Sequence, residues 1–138
     1  MSADPNQIRH LAQLCSAGVD AIVGSSRDLH TAASRAAWQG PAADRFRNEL
    51  VAEVRSADRI LGGLADVGRA LDRHADWVEE RHRLLRQLER RIRAWAVVHP
   101  PVSIAPGPNA LLIGPFPASL DPRWMTIAAD LRRAGAVF

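Results

Sequence analysis

The feature that most constrains this chain is a four-residue break, Trp38-Gln39-Gly40-Pro41, between two long Ala- and Arg-rich stretches. Gly40 lacks the Cβ that bars most residues from positive φ. Pro41 has no amide hydrogen and suits the first position of a new helix. Two helices joined by so short a connection fold back on one another. The expected unit is a helical hairpin with its turn at residues 37–41. Trp38 is then a large apolar ring at the reversal, placed to plug the crevice between the helices.

The helices on either side are legible from their caps and stripes. Asp4 precedes Pro5, with Gln7 three residues on, which is an N-terminal capping pattern. Ile8, Leu11, Cys15, Val19, Ile22, Leu29 and Ala33 then recur at spacings of three and four and give one apolar face. The second helix starts at Pro41, with Asp44 near its positive end. Its stripe runs through Phe46, Leu50, Val54, Leu61, Leu64, Leu71, Val78, Leu85, Leu88, Ile92 and Trp95. This period is close to seven, as in helices packed at shallow angles. The pair Gly62-Gly63 is where a kink is expected.

The two helices are unequal. Residues 5–36 would extend roughly 48 Å and residues 41–97 roughly 85 Å at 1.5 Å per residue. The first therefore covers the second only to about residue 72. The apolar stripe beyond it, from Val78 to Trp95, needs another cover: a second chain, or this chain's own C-terminus.

That C-terminus divides in two. Residues 98–120 hold six prolines, which forbid regular helix and favour extended chain. Ile104, Leu111, Leu112, Ile113 and Phe116 make the segment apolar, so it is expected to lie on the helices. Asp121 as N-cap and Pro122 at N1 then open a short amphipathic helix. Leu120 and Met125 are placed to staple it, Trp124, Ile127 and Leu131 form its apolar face, and Arg132 and Arg133 stand at its negative end. The domain reading is thus residues 1–97 hairpin, 98–120 extended segment and 121–138 terminal helix, in an all-α fold.

Composition narrows the function more than it names one. All 18 cations are Arg, the net charge is +3 and aromatics are 5%. A lone Cys15 on an apolar face excludes an internal disulfide. Met1 to Pro5 shows no basic segment leading into an apolar one, so no cleaved leader is expected. No stretch nears the ~20 apolar residues of a membrane span. Phosphate loops, paired metal-binding histidines and serine elbows are missing. His74 and His82 share a helix face but have no third ligand. A non-enzyme without metal or cofactor is expected.

One run stands out. Residues 81–93 carry six Arg and one Glu on helical spacing. Arg83, Arg86, Arg90 and Arg93 are candidates for contact with an anionic surface, whether nucleic acid or membrane. Without interleaved aromatics, single-stranded nucleic acid fits poorly.

Around the break, Leu29, Ala32, Ala33, Ala36, Trp38-Gln39-Gly40, Ala42, Ala43, Phe46 and Leu50 resemble the signature of the WXG (Trp-x-Gly) superfamily, the small ESAT-like hairpin proteins of type VII (ESX) secretion. The resemblance covers residues 5–97. It implies pairing with a second hairpin into a four-helix bundle, as a homodimer or a heterodimer with a similar protein or a secreted effector. It also implies dealings with the secretion machinery and leaderless export from the cytoplasm, or service as a targeting partner. Trp38, Gly40 and Pro41 would form the turn, and Phe46, Leu50, Leu64, Leu71, Val78, Leu85, Leu88 and Ile92 the core or interface. The chain has no Tyr and so lacks the family's Tyr-x-x-x-Asp/Glu export signal, which would then belong to a partner. Residues 98–138 are additional to the family's usual length. An adaptor or antitoxin for a neighbouring toxin is the remaining alternative.

Overall fold

The computed structural model describes residues 3–99 and 115–138, and among these the chain is all-helical. Three helices follow in order: α1 (Pro5–Arg35), α2 (Pro41–Val98) and α3 (Arg123–Arg133). The expected extended course of residues 100–114 lies outside the described residues. The chain forms two compact units. One spans Asp4–Asp76. The other comprises Trp77–Phe138 with Met1–Ala3.

The first unit is the hairpin. Asp4 caps α1 by accepting the Asn6 amide at 2.9 Å. α1 ends at Ala36, whose amide still reaches the Ala32 carbonyl. Gly40 takes φ +110°, a conformation that favours glycine, and α2 follows at once. The antiparallel register is fixed by pairs that step along both helices. Arg9 bridges to Asp76 at 2.8 Å. A Cβ at Gly68 would stand 3.4 Å from the Cys15 Cβ and 3.6 Å from the Ala12 carbonyl. Gly18 faces Leu64, and Trp38 faces Phe46. Gly68 thus brings the backbones close, with Ala12, Ala43, Leu61 and Ala75 buried along the seam.

Two expectations about this unit are corrected. α2 passes through Gly62-Gly63 as helix, without a break. A Cβ at either glycine would meet nothing within 4 Å, so no tertiary contact forces a bend there. Trp38 does not plug the crevice. It is half exposed, its ring centroid 5.7 Å from Phe46, with the Arg47 guanidinium donating to its carbonyl at 2.7 Å. The ring lies against Phe46, and Ala43 is the buried seam residue beside the turn.

The second unit packs α3 along residues 78–95 of α2. Leu85, Leu88, Ile92, Trp124, Ala128 and Leu131 form a buried cluster, joined by Trp95, Leu120, Ile127, Ala136 and Phe138. α3 lies parallel to α2. Leu120 and Pro122 stand beside Val78 and Leu85, while Leu131 and Ala136 stand beside Trp95 and His99. The hydrogen-bonded helix is counted from Arg123, but Pro122 already has helical φ/ψ and so stands at the first helical position the sequence assigns it. Asp121 still caps it, taking the Arg123 amide at 2.8 Å. Leu120 turns at φ +65° into the core, and Met125 stays largely outside it, so the expected staple is replaced by core packing. At the other end Gly135 (φ +92°) and the Ala136-to-Leu131 bond of 2.9 Å close α3 in a Schellman turn.

Candidate functional site

The residues expected to form a seam or interface separate into three groups. Leu50, Leu64 and Leu71 line the α1–α2 seam and are partly buried. Val78, Leu85, Leu88 and Ile92 are buried in the second unit. Of the two covers open to that stretch of stripe, the chain's own α3 is the one present. Phe46 remains exposed together with Trp38.

Phe46 belongs to a larger exposed set. On α1, Leu11, Leu14, Ile22 and Leu29 are all exposed. At 3.6 residues per turn they fall within about 80° of one another, displaced to one side of the seam residues Ala12, Cys15 and Val19. On α2, Phe46, Ile60 (73% exposed) and Val67 cluster within about 60°. They are displaced from Leu50, Leu61 and Gly68 in the same rotational sense. For two antiparallel right-handed helices, equal senses of displacement lie on the same side of the hairpin. The opposite side carries the Arg9–Asp76 bridge and a groove lined by Val23, Ser26, Arg27, His30, Val54 and Asp58. The leucine-bearing side is the more apolar of the two, with the exposed carboxylates Glu49 and Glu53 set between Phe46 and Ile60 on α2. The apolar side is roughly 30 Å long and two helices, or roughly 20 Å, wide. Sequence reading placed Leu11, Ile22, Leu29 and Phe46 in the same stripe as the seam residues of their helix. That part of each stripe faces away from the seam follows only from the packing.

Electrostatics in the second unit centre on Glu89. One carboxylate oxygen accepts from Ser119 Oγ at 2.6 Å and the other from Arg93 Nε at 3.0 Å. The Ser119 bond first, and Arg93 after it, hold this carboxyl below the usual glutamate range against partial desolvation. The Arg93 guanidinium lies over both Phe116 (5.1 Å) and Trp124 (5.2 Å), and the two rings stack at 5.5 Å. The indole N–H of Trp124 donates to the Ala118 carbonyl at 2.9 Å. Arg93, read from sequence as a surface contact, is thus a fastener for residues 116–124. The sequence carried little sign of this, since Ser119 and Glu89 are 30 positions apart.

The other basic candidates remain on the surface. Arg83 pairs with Glu80, whose hydrogen bond raises its pKa further. Arg86 and Arg90 are exposed and have no ion pair among the described residues. A shallow hollow of about 470 Å³ is lined by Trp77, Arg81, His82, Leu85, Ser119 and Asp121, with Arg81 over the Trp77 ring. The Asp121 carboxylate is already engaged by Arg123 side chain and amide, which hold it below its usual range. Among the described residues no group of three or more His, Cys, Asp or Glu could hold a metal ion, and no helix is long and apolar enough to cross a membrane. No family model, curated protein or solved structure matches this chain.

Proposed function

We propose that this protein works by association, as a WXG-like hairpin of the type VII secretion kind that lays the apolar side of α1 and α2 against a second hairpin. The observation that carries the reading is that side itself. Leu11, Leu14, Ile22, Leu29, Phe46, Ile60 and Val67 gather seven large exposed apolar side chains on one side of the hairpin, with Glu49 and Glu53 among them. A large exposed apolar patch edged by charge marks an interaction surface. Its extent is comparable to the roughly 800 Å² each partner contributes to a standard interface. The half-exposed Trp38 beside Phe46 extends it to the turn, which supports the Trp-x-Gly resemblance as a pairing motif. The partner is a second copy or a similar small hairpin, giving a four-helix bundle, and the complex is an export substrate of that route or the targeting half of one. The second unit needs no such partner, because α3 already covers its stripe.

Light scattering coupled to size exclusion tests this, on the protein alone and with a small hairpin protein encoded beside it. A dimer in either setting is expected. Leu14→Glu with Ile60→Glu should return it to monomer with unchanged helical circular dichroism, since both positions are exposed in the single chain. A monomer in both settings, or a dimer indifferent to both substitutions, would remove the proposal.

A further inference from the structure

Charge is divided unequally along the chain. Residues 4–76 carry nine Arg against ten carboxylates, whereas residues 77–138 carry nine Arg against five. Within that second part the excess is concentrated. Arg83, Arg86 and Arg90 fall within about 60° on α2, on the side away from the face that α3 covers, while Arg93 leans onto Phe116 and Trp124. Arg83 has a carboxylate partner, and among the described residues Arg86 and Arg90 have no ion pair. The same azimuth continues one turn beyond Arg93 to Val97, which is 82% exposed, with exposed Val98 beside it. Val137, 90% exposed, lies at the same end of the unit but beside Trp95 and His99, on the other side of α2 from the stripe.

We propose that this stripe and its apolar tip dock the second unit on an anionic lipid surface. The cations Arg83, Arg86 and Arg90 meet headgroup phosphates, and Val97 with Val98 enters the boundary between headgroups and acyl chains. Two features favour lipid over nucleic acid. Exposed valines gain nothing beside a phosphate backbone but are stabilised on leaving water at a lipid interface. The stripe also offers no aromatic ring for base stacking. The main apolar face of the amphipathic helix is occupied by α3, so attachment is shallow, reversible and chiefly electrostatic. It involves a different surface from hairpin pairing and stands or falls separately.

The test is co-sedimentation of the full chain with phosphatidylcholine vesicles, with and without 30% phosphatidylglycerol, at about 50 and 300 mM NaCl. Binding to the anionic vesicles alone, weakening steeply with salt, is expected. Arg86→Gln with Arg90→Gln should lower the partition coefficient about 30-fold, at roughly a factor of five per juxtamembrane cation. Val97→Ser should weaken binding several-fold without changing its salt dependence. All three positions are exposed, so circular dichroism should be unchanged. Absence of binding at 50 mM NaCl would overturn the proposal. So would binding indifferent to the paired Arg substitutions, or binding that Val97→Ser leaves intact and that duplex DNA reproduces at equal strength.

Discussion

Replacement of Trp124 by alanine should release α3 while leaving the hairpin folded. Trp124 is fully buried between Leu85, Ile92 and Leu131, stacks on Phe116, lies under Arg93 and donates to the Ala118 carbonyl. Truncating a buried Trp costs about 3–5 kcal/mol. The lost indole bond, about 1 kcal/mol on its own, falls within that range. α3 has 11 residues, below the ~12–15 at which an isolated helix becomes marginal in water, so its helicity depends on docking. A loss of at least 3 kcal/mol corresponds to about a 100-fold or greater fall in hydrogen-exchange protection at the Ala128 and Leu131 amides. Amides in the middle of α1 should keep theirs. Trp124→Phe, which keeps the stack but loses the bond and some volume, should fall in between. Unchanged protection across α3 in Trp124→Ala would refute the claim that this side chain anchors the helix. Equal loss in α1 would refute the claim that the effect is local.

Two glycines should respond in opposite directions. Gly62→Ala meets no neighbour within 4 Å and removes a helix-interior glycine, so it should stabilise by about 0.5–1 kcal/mol. Gly40→Ala puts a Cβ at φ +110° and should destabilise by about 1–2 kcal/mol. Urea midpoints at equal m-value read both. Glu89 gives a pH dependence of definite sign. Its folded-state pKa lies below the ordinary value near ~4.3, so its contribution is present above that value and lost as pH falls through the lower folded one. Protection in α3 should therefore drop on acidification below about pH 4, and Ser119→Ala, which removes the largest cause of the shift, should flatten the drop. An acid profile the same in Ser119→Ala as in the parent would assign the loss to other carboxylates.

The sequence by itself determined the elements, because their causes are local. Asp4-Pro5 starts α1, Gly40-Pro41 makes the turn that opens α2, and the apolar spacing sets the arc of each helix from which its buried face is drawn. The same local chemistry set a short C-terminal helix behind Asp121-Pro122, and the inequality of helix lengths marked residues 78–95 as needing a cover. What covers them was not legible, since α3 and a second chain would present equivalent apolar faces. The tertiary structure decided for α3, through the buried Trp124 and an Arg93–Glu89–Ser119 link between positions far apart in sequence. It also decided Trp38. A tryptophan beside a turn reads as a plug, but the ring stays half exposed against Phe46, and Ala43 is the residue buried beside the turn. Periodicity records that a residue is apolar and on which arc of a helix it falls. Which part of that arc meets the neighbouring helix, and which is left for another molecule, depends on the rotation of each helix about its axis. That rotation is set by close packing at Gly68, Ala12 and Cys15, contacts that exist only once the chain has folded.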